Sequence, residues 1–186
     1  VPVPGWSDGL KKNRIFIIGG ARSGKSSYGV ALAMKLGKRV AYIATAEPPE
    51  LRDDEEMKRR IQRHRAHRPK GVTTIEEPID LSGALKGAQK NHDCIVIDCL
   101  TLWLSNLLGR GGAGWRKKTT EFLKTIRSMK KQVVIISNEV GMGVVPANRG
   151  ARNFRDIIGG LNQAVASESD KVIMMVSGIP VVIKGK

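Results

Sequence analysis

Five short apolar runs punctuate the chain, at residues 15–18, 40–44, 94–97, 133–136 and 172–176. They are rich in Val and Ile and nearly continuous, as strands buried on both faces of a parallel sheet read. Between them lie stretches that read as helices, at residues 26–35, 53–67, 81–90, 117–130 and 148–167. The alternation predicts an α/β fold, a mostly parallel sheet flanked by helices and joined by crossover connections. The last run continues into "SGIPVVIK", where Gly178-Ile179-Pro180 predicts a turn and a short C-terminal antiparallel hairpin strand. "GRGGAG", residues 109–114, predicts a flexible loop between helices, and no internal repeat is visible.

At 186 residues the chain reads as one domain, residues 14–186, behind a poorly ordered extension, residues 1–13, to which no functional role is assigned. No run approaches the ~18 apolar residues of a membrane span. The opening "VPVPGWSDGLKKNR" lacks the apolar stretch of a secretory signal, so a cytoplasmic protein is expected. On a strand, Cys94 and Cys99 would stand about 16 Å apart, beyond disulfide reach. They read as reduced, buried thiols. Lys and Arg outnumber Asp and Glu by 32 to 17, a formal charge of +15 that attracts anions. The charge is scattered in short clusters, and the few aromatics (Trp 3, Tyr 2, Phe 3) form no stacking platform, so no nucleic-acid partner is expected.

Directly after the first apolar run stands Gly19-Gly20-Ala21-Arg22-Ser23-Gly24-Lys25-Ser26. It fits the phosphate-loop pattern, and it sits between a predicted strand and a predicted helix, the context that gives the pattern meaning. The glycines let successive backbone N–H groups point inward, and the helix N-terminus adds partial positive charge beneath the phosphates. Lys25 would reach the terminal phosphates and Ser26 would ligate Mg²⁺. Asp98, closing "CIVID", is the expected carboxylate on the Mg²⁺ side. These residues define a P-loop nucleotide-binding domain and leave the acceptor open.

Three further stretches bear on the acceptor: "YIATAEP", "DDEEMKRRIQRHRAHRP" and "SNEVGMGVVPANRGARNFRDIIGGLNQAVASESD". With "GGARSGKS" and "VSGIPVVIK" they resemble the bifunctional adenosylcobinamide kinase/adenosylcobinamide-phosphate guanylyltransferase family of cobalamin biosynthesis, over residues 15–184. The resemblance implies a recombinase-type P-loop sheet assembled as a homo-oligomer, a trimer, acting on a corrinoid small molecule. It implies phosphorylation of adenosylcobinamide with ATP or GTP, then transfer of GMP from GTP through a guanylyl-histidine, giving adenosylcobinamide-GDP. Matched position by position, the nucleophile falls on His64. The guanylate contacts fall on Thr45, Ala46, Arg65, Ala66, His67, Arg68, Glu76 and Asp98. The chain departs from the family at Val30, where members often have Glu, and at Arg63, where some have a second histidine. The region 106–120 is short, glycine-rich and basic.

An imidazole suits nucleotidyl transfer, being nucleophilic when neutral and largely neutral near pH 7. Spacing alone also permits the plainer reading of His64 as a helix histidine beside Ile61 among solvated arginines. The loop "NEVGMG" is equally a ligand-approaching strand end or a structural turn. Two rival functions stay open on the residues: a single-activity small-molecule kinase, and a nucleic-acid-dependent ATPase suggested by the charge.

Overall fold

A computed structural model describes residues 14–47, 55, 58, 59, 71–111 and 114–185. Seven strands form one sheet: β1 (Arg14–Gly19), β2 (Val40–Ala44), β3 (Val72–Glu76), β4 (Cys94–Asp98), β5 (Gln132–Asn138), β6 (Lys171–Val176) and β7 (Ile179–Lys184). Their order is β3-β2-β4-β5-β1-β6-β7, and every neighbouring pair is parallel except the antiparallel β6–β7 hairpin. All five expected apolar runs are strands, and the expected hairpin strand follows them. The turn is tighter than expected. Ser177 and Gly178 alone form it, with φ of 50° and 83°, and Ile179 and Pro180 already lie in β7. Positive φ at both central residues is the type I′ geometry that matches strand twist, and glycine adopts it without a Cβ penalty.

Alternation along the strands sorts side chains between two cores. Phe16, Ile43, Ile97 and Ile135 join one core with helices α2 (Leu81–Ala88), α3 (Leu100–Gly109), α4 (Trp115–Ser128) and α5 (Arg149–Glu168). Ile17, Tyr42, Val96 and Ile136 join the other, against α1 (Lys25–Leu36). α1 sits close to the sheet because Gly29 faces it: a Cβ there would lie 2.8 Å from Ile136 Cδ1. Asn148 caps α5, its side-chain oxygen accepting from the Ala151 N–H at 3.1 Å.

Two elements were not anticipated. β3 reads Val-Thr-Thr-Ile-Glu at the sheet edge, half exposed and too polar to stand out as an apolar run. α3 reads Leu-Thr-Leu-Trp-Leu-Ser-Asn-Leu-Leu-Gly and is apolar on nearly every side, so it carries little helical period. The helix expected over residues 53–67 falls almost wholly outside the described residues, though Glu55, Lys58 and Arg59 are helical. Among the described residues no helix is long and apolar enough to cross a membrane.

Candidate active site

Because the strands are parallel and in register, their C-terminal ends form one edge. Gly19 pairs with Asn138 and Met175, Asp98 with Ala44 and Ile136, and Ala44 with Glu76. Ligands of open α/β sheets bind along such an edge. The structure therefore strings Gly19, Gly20, Ala21, Arg22, Ser23, Gly24, Lys25, Ser26, Thr45, Ala46, Glu76 and Asp98 along this one edge. His64, Arg65, Ala66, His67 and Arg68 lie outside the described residues.

The loop between β1 and α1 curls as its composition requires. Arg22 and Gly24 both take positive φ, 57° and 88°, and Gly24 opens the helix. The Ser23 N–H donates to Gly20 O at 3.3 Å, closing the turn. Lys25 is only 7% exposed, and its ammonium donates to Gly20 O at 2.6 Å, which lays the cation across the loop. Ser26 stands half-buried in the first turn of α1. A helix N-terminus and a cation thus stand together at one loop, as an anion site requires. The loop is braced from both sides. The Glu139 N–H donates to Gly19 O at 3.0 Å, and the Gly178 N–H donates to Ser23 O at 3.1 Å.

Asp98 ends β4, two strands from β1 with β5 between them, so about 10 Å separates the strand ends at ~4.8 Å per strand. The Tyr42 hydroxyl donates to its Oδ2 at 2.6 Å, fixing the carboxylate. A divalent cation fits this set. Mg²⁺ favours oxygen ligands and is commonly held by one or two carboxylates together with substrate phosphates. Ser26 and Asp98 offer one hydroxyl and one carboxylate beside the phosphate loop. No cluster of three or more ligating side chains that could hold a metal exists among the described residues.

Thr45 follows β2 and is tied into the interior beside Asp98. It is wholly buried, its hydroxyl donates to Cys99 O at 2.7 Å, and it accepts from the Cys99 N–H at 2.8 Å. Its N–H donates to Asp98 O at 3.1 Å, and its carbonyl accepts from Asn106 Nδ2 at 2.7 Å. Its polar groups are thus committed to holding the chain after Asp98. Ala46 follows, half-buried, and Glu76 is exposed at the end of β3, about 19 Å from Gly19 across four strand steps. Asn106 also donates to Pro78 O at 3.2 Å and Trp103 Nε1 to Ile79 O at 3.0 Å, so α3 bolts the loops after β2 and β3. Tyr42, Asn106 and Trp103 carried no sequence signal: each acts on a partner distant in sequence, and each reads locally as core.

Both thiols are buried and free. Burial pushes Cys94 up to about 12 and Cys99 up to about 11, the neighbouring Asp98 carboxylate adding to the latter. Cys99, next to the carboxylate, is therefore a neutral packing group near pH 7.

This strand order, with a phosphate loop leaving β1, a carboxylate closing β4 and one strand between, defines a P-loop nucleotide-binding domain of the recombinase type. RadB recombinase superposes with a TM-score of 0.52 over 94% of this chain and 82% of its own, at 13% identity. The ATPase EscN of the enteropathogenic E. coli type III secretion system superposes at 0.54 over 89% of this chain and 43% of its own, at 14% identity. At such identities the likeness concerns the fold. Sequence similarity narrows the class. The family model described as cobinamide kinase/cobinamide phosphate guanyltransferase matches residues 15–183. The bifunctional adenosylcobalamin biosynthesis protein CobP of Pseudomonas aeruginosa is 40% identical over 174 residues, 93% of this chain and 98% of that protein. CobU of Salmonella typhimurium, described in the same words, is 38% identical over 184 residues, 91% of this chain and 99% of its own. The chain belongs to the cobinamide kinase/cobinamide phosphate guanyltransferase family, bifunctional enzymes of cobalamin biosynthesis.

Proposed function

We propose that this chain phosphorylates the aminopropanol hydroxyl of adenosylcobinamide with ATP or GTP. It then transfers GMP from GTP to the resulting phosphate, releasing pyrophosphate and giving adenosylcobinamide-GDP. The observation that carries the reading is the family match over nearly the whole chain, joined to a phosphate loop and Asp98 on one sheet edge.

In the kinase step the loop N–H groups and Lys25 would hold the phosphates and offset charge that spreads over the transferred group, so catalysis is chiefly positioning and electrostatics. Ser26 and Asp98 would hold Mg²⁺, which when bound neutralises phosphate charge. In the guanylyl step we assign the nucleophile to His64. Its neutral imidazole would attack the α-phosphorus of GTP, forming an N–P bond as the bond to pyrophosphate breaks. The corrinoid phosphate then takes the GMP and frees the imidazole. Arg65, Ala66, His67, Arg68, Thr45, Ala46 and Glu76 are proposed around that guanylate, Thr45 through placement of its neighbours. The distance of Glu76 from Gly19 supports a guanylate seat separate from the phosphate loop.

A homotrimer in the cytoplasm is part of the same proposal. Exposed apolar residues in the loop after β5 (Val144, 95% exposed) and on β7 (Ile179 and Ile183, each 60%) offer surface for subunit contact. Sedimentation of a monomer at working concentration would contradict it.

Incubation with α-labelled GTP and intact-mass analysis tests the covalent step. A GMP adduct is expected on the wild-type chain and on Arg63→Ala and His67→Ala, and none on His64→Ala, which should still phosphorylate adenosylcobinamide. Loss of the adduct in His67→Ala alone would move the nucleophile. No adduct on the wild type would leave the kinase step standing by itself.

A further inference from the structure

The kinase step constrains where the rest of the nucleotide lies. In phosphoryl transfer the attacking and leaving oxygens stand roughly in line, on opposite sides of the phosphorus. The ends of β5 and β4, with Glu139 just past β5 and Asp98 closing β4, flank the phosphate loop on one side. The acceptor and cation belong to that flank. The nucleoside must then leave the loop on the other flank, where β6 and the β6–β7 turn stand beside β1.

A groove of about 310 Å³ opens there, between the first turns of α1 and the hairpin. Gly24 and Ser27 form its upper end next to the phosphate loop, Tyr28 one wall, and Met175, Gly178 and Pro180 the other. The turn is not merely adjacent. Besides the hydrogen bond from Gly178 N–H to Ser23 O, a Cβ on Gly24 would stand 3.5 Å from Gly178 Cα and 3.8 Å from Met175 Cε. Groove and loop are continuous. The Tyr28 ring is half-buried and packs against the α1-side core. Its hydroxyl has no hydrogen-bond partner among the described residues. Burial raises its pKa, so it stays a neutral donor.

We infer that this groove seats the purine nucleoside of the triphosphate held by the phosphate loop, with the base against the Tyr28 ring and the β6–β7 turn. The surroundings suit that ligand: apolar and aromatic walls, a few polar groups, and a cavity at the small end of the range for small-molecule sites. The inference rests on the reading of the loop as the kinase nucleotide site.

Two probes separate the two claims: a non-hydrolysable ATP analogue, and inorganic tripolyphosphate, which has phosphates and no nucleoside. Both are titrated calorimetrically with Mg²⁺ into the full chain. An adenine nucleotide is used because GTP is also assigned to the guanylyl step. The wild type should bind the analogue more tightly than tripolyphosphate. Tyr28→Ala should weaken the analogue about tenfold, the scale of one lost base–ring stack, and leave tripolyphosphate binding as it was. Tyr28→Phe should restore the analogue. Should Tyr28→Ala prove unfolded by circular dichroism, Ala31→Gln decides instead, since it adds bulk to the groove from an exposed helix position. An analogue-to-tripolyphosphate ratio unchanged in the deciding variant overturns the inference and leaves the loop assignment standing. A wild-type chain that binds neither probe overturns the loop assignment, and this inference with it.

Discussion

Replacing Thr45 with valine keeps its shape and removes one oxygen, which isolates the role of that hydroxyl. In the wild type it donates to Cys99 O at 2.7 Å and accepts from Cys99 N–H at 2.8 Å, at a position with no exposure. The two losses are unequal. Cys99 O keeps a second donor, the Trp103 N–H at 3.1 Å, so losing the hydroxyl there costs about 0.5–1.5 kcal/mol. Among the described residues Cys99 N–H has no other acceptor, and a buried donor left unpaired costs about 1–3 kcal/mol. Thr45→Val should therefore lose roughly 2–4 kcal/mol, whereas Thr45→Ser, keeping both bonds and losing one buried methyl, should lose only about 1 kcal/mol. Urea titration at constant m-value measures both. Cys99 follows Asp98, so a displaced strand end should also lower the kinase rate in the valine variant more than in the serine variant. A valine variant as stable as the serine one would refute the reasoning, because shape would then matter at this site and the hydrogen bonds would not.

Three other outcomes are expected. Lys25→Ala should lower the kinase rate on the order of 10²–10³-fold with the fold retained, as loss of one preorganised charge at the transferred group does; steady-state phosphorylation of adenosylcobinamide at the wild-type rate would contradict this. Asp98→Asn should shift the Mg²⁺ dependence of the kinase step to higher concentration, since an amide keeps the Tyr42 contact but loses the charge; an unchanged Mg²⁺ titration would assign the cation elsewhere. The two thiols should make folding stability pH-dependent above about pH 8.5, the ordinary thiol value. Their folded values of about 12 and 11 mean that the unfolded chain loses its thiol protons first, so stability falls as pH rises towards those values. Chemical denaturation from pH 8 to 10.5 should show the slope in the wild type and a shallower one in Cys94→Ala.

What could be read in advance followed from local chemistry. Runs such as Ile15–Ile18 and Val133–Ile136 announced buried strands because both their faces are covered, and the glycine and lysine spacing announced the phosphate loop because its backbone must curl. β3 escaped because Thr73 and Thr74 sit in an edge strand that needs only partial burial. α3 escaped because burial around most of its circumference erases the polar stripe by which a helix is recognised. Within the site, Lys25 and Asp98 were legible from their positions at element ends. The grip of Tyr42 on Asp98 was not, since it depends on which strand lies beside β4, and strand order is set by tertiary packing. Nor was the contact of Gly178 with Ser23, which joins opposite ends of the chain.

That last contact limits how this chain can change its length. Adding one residue to the turn at Ser177 and Gly178 would remove the I′ geometry and, with a side-chain period of two, turn every following residue of β7 to the opposite face. It would also carry the Gly178 N–H away from Ser23 O and so disturb the phosphate loop, more than a hundred residues earlier in the chain. Insertions and deletions in relatives should thus avoid this hairpin. An affinity tag or fusion partner joined inside the hairpin would meet the same obstacle.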